Sequence, residues 1–375
     1  MKIQATGIML MAETLTKWTS SSMSKSIELA RPEIRKLVPY SAASYEEGLV
    51  RLNANETPWP APGGSTAASL NNYPPEKPVE LTNRLAEYYG VAPENLLVTR
   101  GSSEAIDLLI RCFCAAGEDA VVICPPTFGM YRVYADIQGA RVHEIPLEAE
   151  HNYALNADEI TRNWPDDGKL LFICSPNNPT GNSFATEQIN LLATLLSGRA
   201  IVVVDAAYAE FADETQTKDL LESMDNDNIV ILRTLSKAFG LAGARCGGLI
   251  GPANIISMAS CVMPPYAIAT PVLDAALASL TPDAKMQVAE HCEILRNERD
   301  RLAAELAQLD GIETVYPSEA NFLLVKAKDA DRCMHLAQEG GVLIRNLGGQ
   351  LPGSLRITVG NAEQNNLLLQ SLAKL

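Results

Sequence analysis

The chain has 375 residues, of which 47% are hydrophobic and 20% are charged, a composition typical of a folded globular protein and unlike that of a disordered chain. Its 45 acidic residues outnumber its 30 basic residues and give a formal net charge of −15, which disfavours binding to nucleic acid or to an anionic membrane surface. The sequence has no apolar run near the ~18 residues that a membrane-spanning helix needs.

The N-terminal region predicts little regular structure. Residues 1–25 include three consecutive serines at positions 20–22 and no clean cleavable signal pattern, so we expect a disordered leader there. We expect residues 26–69 to pack with a small C-terminal domain and with a dimer partner. Of the eight cysteines, Cys112 and Cys114 form the tightest pair, but their spacing does not suit a zinc site. We therefore predict no metal, and reduced thiols in a cytoplasmic protein.

The middle and C-terminal regions predict two domains. Short runs rich in Val and Ile occur at residues 96–99, 120–124, 170–174, 200–204, 229–233 and 247–250. They alternate with longer amphipathic stretches, which is typical of βα units that build a largely parallel sheet. We predict a large α/β domain over residues 70–270. A long helical segment from Pro271 to about Leu309, followed by strands near residues 313–316, 321–325 and 355–359, predicts a smaller α+β domain over residues 271–375.

Polar motifs follow several of the predicted strands, where open parallel sheets bind their ligands. Ser102 and Ser103 follow the first strand and begin an apolar-periodic stretch, so they provide either an ordinary helix cap or an N-terminus that binds phosphate. The turn 175–181, Ser-Pro-Asn-Asn-Pro-Thr-Gly, is either a plain loop or a rigid support that aims one amide side chain. Taken alone, each motif could have a purely structural role.

The next two strand ends carry groups with acid, base and nucleophilic chemistry. Asp205 ends one strand and Tyr208 follows it, and a carboxylate at that position needs a partner. The segment 233–245 contains Thr234, Ser236, Lys237 and Arg245. An amine beside anion-binding groups can form a Schiff base, although an exposed lysine can also be an ordinary solvated side chain.

Taken together, these separated motifs resemble the fold-type I, class I/II aminotransferases over residues 70–248. The resemblance implies pyridoxal 5'-phosphate as the cofactor and a large domain with a mostly parallel seven-stranded sheet flanked by helices. It also implies a homodimer with shared active sites. Lys237 would carry the cofactor as a Schiff base and move the substrate proton, and Asp205 would pair with the pyridine nitrogen.

The resemblance implies roles for the other motif residues as well. Asn178 and Tyr208 would bind the phenolic oxygen of the cofactor, and Phe128 would stack on its ring unless it is simply a core aromatic. The phosphate would be held by Ser102, Ser103, Thr234, Ser236 and Arg245, and by Tyr73 reaching across from a neighbouring subunit. Where many relatives read Asp-Glu-Ala-Tyr, this chain has Ala206, a departure that spares the ring contacts but bears on packing or dimer contacts.

Segments 37–40, 52–56 and 355–360 resemble more specifically the histidinol-phosphate aminotransferases, one branch of this family. That resemblance implies amino-group exchange between L-histidinol phosphate and 2-oxoglutarate, giving imidazole-acetol phosphate and glutamate in histidine biosynthesis. The substrate-binding candidates are Tyr40, Asn178, Tyr266, Asn321, Arg345 and Arg356, with Arg356 first. The alternatives are an aminotransferase for aromatic or other amino acids, or a lyase like the threonine-phosphate decarboxylases. A non-enzymatic regulator would need a basic DNA-binding extension, which the leader does not provide.

Overall fold

The computed structural model describes residues 25–38, 40, 50–62, 70–212, 219, 221 and 226–375. The predicted leader 1–25 therefore lies outside the described residues, apart from Lys25. The helices within these ranges are α1 Lys25–Glu28, α2 Val79–Tyr89, α3 Ser102–Phe113, α4 Met130–Gln138, α5 Ala157–Arg162, α6 Thr186–Leu195, α7 Ala253–Val262, α8 Thr270–Ser279, α9 Pro282–Leu306, α10 Ala330–Glu339 and α11 Ala362–Leu372. None of the helices in those ranges has the length and apolarity required to cross a bilayer.

A seven-stranded sheet forms the centre of the large domain in the described part of the chain. Its strands are β1 Leu96–Thr99, β2 Ala120–Ile123, β3 Arg141–Glu144, β4 Gly168–Cys174, β5 Ile201–Asp205, β6 Ile229–Thr234 and β7 Gly247–Ile250, in the order β1-β7-β6-β5-β4-β2-β3. The adjacent strands β6-β5-β4-β2-β3 pair in parallel, whereas β7 is antiparallel to both of its neighbours, β1 and β6. The predicted fold class is confirmed.

The large sheet is covered on both faces, which explains its continuous apolar strands. Along β5, Val202 and Val204 pack into the core on one face, while Ile201 and Val203 pack into the core on the other. This division follows from the two-residue period of a strand. All five residues of β5 are buried, so its last residue, Asp205, brings a carboxylate to the edge of a dry core.

A four-stranded antiparallel sheet forms the smaller domain among the described residues, in the order β10-β11-β9-β8. Its strands are β8 Ile312–Val315, β9 Phe322–Ala327, β10 Arg345–Asn346 and β11 Ser354–Thr358. The single long helix predicted after Pro271 is wrong, since α8 ends at Ser279 and α9 begins at Pro282. Thr281 caps α9 by accepting a hydrogen bond from Ala284 N, and a proline in the first turn begins a helix easily because it has no N–H to satisfy.

The start of the described N-terminal segment packs on the large domain. Ile27, Leu29 and Ala30 belong to the same core as Ile255 of α7, and Arg31 N donates to the carbonyl of Cys112 at the end of α3 over 2.9 Å. Burial of three apolar side chains against α7 accounts for this placement. Residues 27–31 thus contact the large domain, and the expected packing of residues 26–69 with the small domain and with a dimer partner stays a prediction.

Candidate active site

The polar motifs meet at one edge of the large sheet. Asp205 and Thr234 are the last residues of β5 and β6, and Asn178 follows β4 by a short turn. Ser102 begins α3 shortly after β1, and β1 runs in the same direction as β6 because both are antiparallel to β7. The carboxyl ends of these strands therefore place the candidate side chains together, as is usual for ligand sites in open sheets.

The Asp205 carboxylate has one satisfied and one unsatisfied oxygen. The residue is 2% exposed, and its Oδ2 accepts a hydrogen bond of 2.9 Å from Tyr131 Oη. Its Oδ1 is buried and has no hydrogen-bond partner. Burial raises the pKa of Asp205 from its ordinary 3.8 to about 6, against the opposing effect of the Tyr131 hydrogen bond. This buried, unpaired oxygen can accept a strong hydrogen bond from a donor on a bound ligand.

Lys237 lies at the mouth of the same site. Its Nζ is 5.3 Å from the centre of the Tyr208 ring. Partial burial and then the Arg356 guanidinium lower the pKa of Lys237, while the Asp205 carboxylate acts in the opposite direction. A lowered pKa increases the fraction of neutral amine, which is the form that attacks a carbonyl.

A hydrogen-bonded chain connects the small domain to this edge of the large sheet. Arg356 Nη1, from β11, donates to Asn178 Oδ1 over 2.7 Å, and Asn178 Nδ2 donates to Tyr208 Oη over 3.2 Å. Burial raises the pKa of Tyr208, so its phenol stays protonated at neutral pH and can donate to an oxygen in the cleft.

The neighbouring asparagine holds the turn that carries Asn178. The fully buried Asn177 accepts from Thr127 Oγ1 over 3.0 Å and donates to the carbonyl of Pro126 over 2.9 Å. Its amide also donates to Thr180 Oγ1 over 2.7 Å. These bonds fix the turn, and the second asparagine of the pair, Asn178, directs its amide to Tyr208 and Arg356.

Hydroxyl and guanidinium groups converge at the start of α3. We call this group the anion cradle. It consists of Thr234, Ser236 and Arg245, together with Gly101, Ser102 and Ser103 at the start of α3. Thr234 Oγ1 and Ser236 Oγ are 3.0 Å apart, and Arg245 Nη1 donates to Ser236 Oγ over 3.2 Å. A Cβ added at Gly101, whose φ is +77°, would lie 2.9 Å from Arg245 Nη2. The missing side chain thus lets the guanidinium approach a helix N-terminus, where an anion is favoured.

Two arginines line an open cleft of about 400 Å³ beside Asn178 and Phe128. Arg345 and Arg356 are direct partners across β10 and β11, so they present two positive charges to the cleft. Phe128 borders the cleft and packs edge-on against Tyr131, with ring centres 5.6 Å apart. A pair of guanidinium groups in this position suits a substrate carboxylate or phosphate.

Of the six predicted substrate-binding residues, Asn178, Arg345 and Arg356 line this cleft, whereas Tyr40, Tyr266 and Asn321 do not, and nor does Tyr73. Tyr73 stacks on Tyr266 with ring centres 4.6 Å apart, and Tyr40 lines a separate groove beside residues 263–268. Asn321 precedes β9, where its carbonyl accepts a hydrogen bond of 2.9 Å from Val359 N. Their assigned binding roles stay predictions.

Sequence reasoning missed Tyr131, which contacts the central carboxylate. The signal was weak, because an aromatic residue three positions after Phe128 on a helix is more often a core residue than part of a site. Its hydrogen bond to Asp205 depends on how α4 packs against the end of β5, and helical periodicity does not encode that packing.

The residues present fit pyridoxal phosphate at this edge. The buried, unpartnered Oδ1 of Asp205 suits a protonated pyridine nitrogen, the anion cradle suits a phosphate, and Lys237 suits an aldehyde. Tyr208 and Asn178 lie next to each other, where they could bind a phenolic oxygen. Among the described residues, no group of three or more potential ligand side chains is arranged to hold a metal ion.

Fold and site together define an aminotransferase of the fold-type I group. The model of the class I and II aminotransferase family matches residues 54–372, and the chain belongs to this family. A histidinol-phosphate aminotransferase of Xanthomonas euvesicatoria pathovar vesicatoria (strain 85-10) is 41% identical over 359 residues, covering 94% of this chain and 98% of that protein. The family predicted from sequence is confirmed.

Solved structures agree on the fold. The histidinol-phosphate aminotransferase of Sinorhizobium meliloti in complex with pyridoxal-5'-phosphate is 22% identical, with a TM-score of 0.73 over 82% of this chain and 84% of that one. The L-threonine-O-3-phosphate decarboxylase of Porphyromonas gingivalis is 21% identical, with a TM-score of 0.68 over 81% of this chain and 90% of that one. Because a transaminase and a decarboxylase match almost equally well, the fold does not separate these two reactions.

Proposed function

We propose that the protein uses pyridoxal phosphate to exchange an amino group between L-histidinol phosphate and 2-oxoglutarate, yielding imidazole-acetol phosphate and glutamate in histidine biosynthesis. The observation that carries the chemistry is the grouping of Lys237, the half-satisfied Asp205 carboxylate and the anion cradle at one sheet edge. The choice of substrate is supported by the relative named histidinol-phosphate aminotransferase, at 41% identity over nearly the whole chain.

When bound, pyridoxal phosphate supplies a reactive carbonyl and an electron-withdrawing ring. Lys237 would provide the amine that anchors the cofactor and the base that accepts and returns the substrate proton, and its lowered pKa favours both roles. Asp205 Oδ1 is placed to accept a hydrogen bond from the ring nitrogen and, as a carboxylate, to favour its protonated form. The protonated phenol of Tyr208 and the adjacent amide of Asn178 would stabilise negative charge on the phenolic oxygen of the cofactor.

The two arginines explain how one site can accept two different anions. Arg345 and Arg356 present paired guanidinium groups to the open cleft, and each can form a charge-assisted hydrogen bond with a carboxylate or a phosphate. The positive charge of Arg356 also lowers the pKa of Lys237. A bound substrate anion would offset that charge and make Lys237 a better base when a proton has to be removed.

The protein also works, we infer, as a cytoplasmic homodimer whose active sites are shared. Large apolar side chains are exposed along the N-terminal segment, including Val38 at 66%, Tyr40 at 65% and Trp59 at 73%. Such a concentration of exposed apolar surface favours a protein interface. Neither Tyr40 nor Tyr73 lines the cleft of its own chain, and in the proposed dimer each would reach the site of the second copy. All eight cysteines are free thiols, which suits a reducing compartment.

The substrate assignment is tested by half-reactions of the purified, cofactor-loaded protein. L-Histidinol phosphate should discharge the visible band of the lysine-bound cofactor, and 2-oxoglutarate should restore it. Release of carbon dioxide would identify a decarboxylase, and much faster discharge by tyrosine or phenylalanine would identify an aromatic aminotransferase. Lys237→Ala should lack the band and lose turnover by orders of magnitude, whereas Lys328→Ala, at an exposed position, should keep both.

Shared sites are tested by mixing two impaired variants. Lys237→Ala removes the anchor from its own chain, and Tyr73→Ala removes the residue proposed to reach the other chain. Co-refolding should restore activity, because each heterodimer would contain one site with both residues intact. If the mixture is no more active than the sum of the separate variants, each site is built from one chain.

A further inference from the structure

The contact between Tyr131 and Asp205 joins two fully buried groups from different elements. Tyr131 lies in α4, is 0% exposed and stacks on Phe172 with ring centres 4.7 Å apart. Its Oη donates to Asp205 Oδ2 over 2.9 Å. A phenylalanine ring would fill the same core space against Phe172, so apolar packing does not account for the hydroxyl.

The Tyr131 hydroxyl occupies one of the two Asp205 carboxylate oxygens and leaves the other available to the site. With Oδ2 bound to Tyr131, the buried Oδ1 is the oxygen without a partner. Cys174, the strand partner of Asp205 on β4, lies 3.3 Å from the carbonyl of Pro176 and also interacts with the Tyr131 hydroxyl, and it makes no hydrogen bond to the carboxylate. Lys237 acts on Asp205 through its charge from the loop after β6. The backbone N–H of Ala207 also acts on this carboxylate, and Tyr131 is the side chain that hydrogen-bonds it.

We propose that Tyr131 is a positioning residue that holds Asp205 ionised and turned so that Oδ1 faces the ring nitrogen of the cofactor. This inference rests on the proposed use of pyridoxal phosphate. Hydrogen bonds to an ionised acceptor are among the stronger ones in proteins, and they favour the charged form. The Tyr131 hydrogen bond indeed acts to lower the pKa of Asp205 against the effect of burial.

Tyr131→Phe tests the inference while keeping the stacked ring. In the cofactor-free protein, carbon-13 NMR of labelled aspartate should show the pKa of Asp205 rising by about one to two units, because the variant loses a hydrogen bond to a charged group. Tyr153→Phe is the matched control, since Tyr153 is also buried and its ring packs against Tyr316, with ring centres 5.5 Å apart. The control should leave the Asp205 titration unchanged.

A second measurement separates positioning from general stability. The affinity of Tyr131→Phe for pyridoxal phosphate should fall by about tenfold, whereas an analogue with carbon in place of the ring nitrogen should bind variant and wild type equally. An unchanged Asp205 titration, or an equal loss of affinity for cofactor and analogue, would overturn the positioning role. Failure of the wild-type protein to form any lysine-bound cofactor would instead reject the proposed function, so the two failures are distinguishable.

Discussion

Replacement of Asp205 by Asn should change how the stability of the cofactor-free protein depends on pH. Burial raises the pKa of this carboxyl from 3.8 to about 6, and a shift of about two units corresponds to about 3 kcal/mol. The folded state binds the proton more tightly than the unfolded state. The wild-type protein therefore has its full stability from this group below pH ~4 and loses it as the pH rises through ~6. The asparagine variant lacks this proton-linked contribution.

Urea unfolding at fixed protein concentration between pH 4 and pH 8 measures the effect. The difference in unfolding free energy between Asp205→Asn and wild type should move in favour of the variant by most of about 3 kcal/mol over this range. Asp300→Asn is a suitable control, because 72% of the Asp300 side chain is exposed, and its profile should follow that of wild type. Parallel profiles for Asp205→Asn and wild type would show that burial of the ionised Asp205 carboxylate does not destabilise the folded protein.

Two further predictions compare variants that share one feature and differ in another. Gly101→Ala and Gly117→Ala both introduce a Cβ at positive φ, +77° and +75°, but the added Cβ meets a guanidinium at the first position and nothing within 4 Å at the second. Each should lose about 1 to 3 kcal/mol of stability, because a residue with a Cβ is strained at positive φ. Gly101→Ala alone should weaken pyridoxal phosphate binding in a titration, and equal affinities of the two variants would argue against the anion cradle. Arg233→Met leaves the buried Glu210 side chain without its 2.8 Å ion pair and should lower the free energy of unfolding in urea by about 3 to 5 kcal/mol. Arg132→Met breaks an ion pair whose side chains are both 45% exposed and should lower it by less than about 1 kcal/mol. Equal losses would show that burial of the pair is not what matters.

The sequence predicts the buried strands well because both faces of the sheet are covered. Strand β1 and strand β7 occupy the predicted residues, since a strand buried on both faces reads as an uninterrupted apolar run. Strand β3 escaped detection because Arg141–Glu144 has no fully buried residue and carries charge at both ends. Edge strands are often protected in this way, so an apolar pattern does not reveal them.

The candidate site divides along similar lines. Lys237, Asp205 and Asn178 were predictable because they follow strands whose ends meet at one sheet edge. Tyr131 was not predictable, because its role depends on how α4 docks onto β5. The second arginine, Arg345, was a secondary candidate in the sequence. Its position opposite Arg356 follows from the β10–β11 register, and the two-residue strand β10 gives almost no sequence signal.

The unsatisfied oxygen of Asp205 leads to a reversal in stability that depends on ligand. Without cofactor, the ionised carboxylate is buried and one of its oxygens is unpaired. Asp205→Asn removes this buried charge and should therefore raise the free energy of unfolding at pH 8. An unpaired amide in the variant would reduce this gain by about 1 to 2 kcal/mol. With pyridoxal phosphate bound, a protonated ring nitrogen would pair with Oδ1 in wild type and lose that charge partner in the variant. The thermal midpoint of wild type should therefore rise more on cofactor binding than that of Asp205→Asn. Both midpoints are measured at saturating cofactor, so that incomplete occupancy of the weaker-binding variant does not cause the difference. If both midpoints rise equally, Oδ1 is not the partner of the ring nitrogen, and its burial needs another explanation.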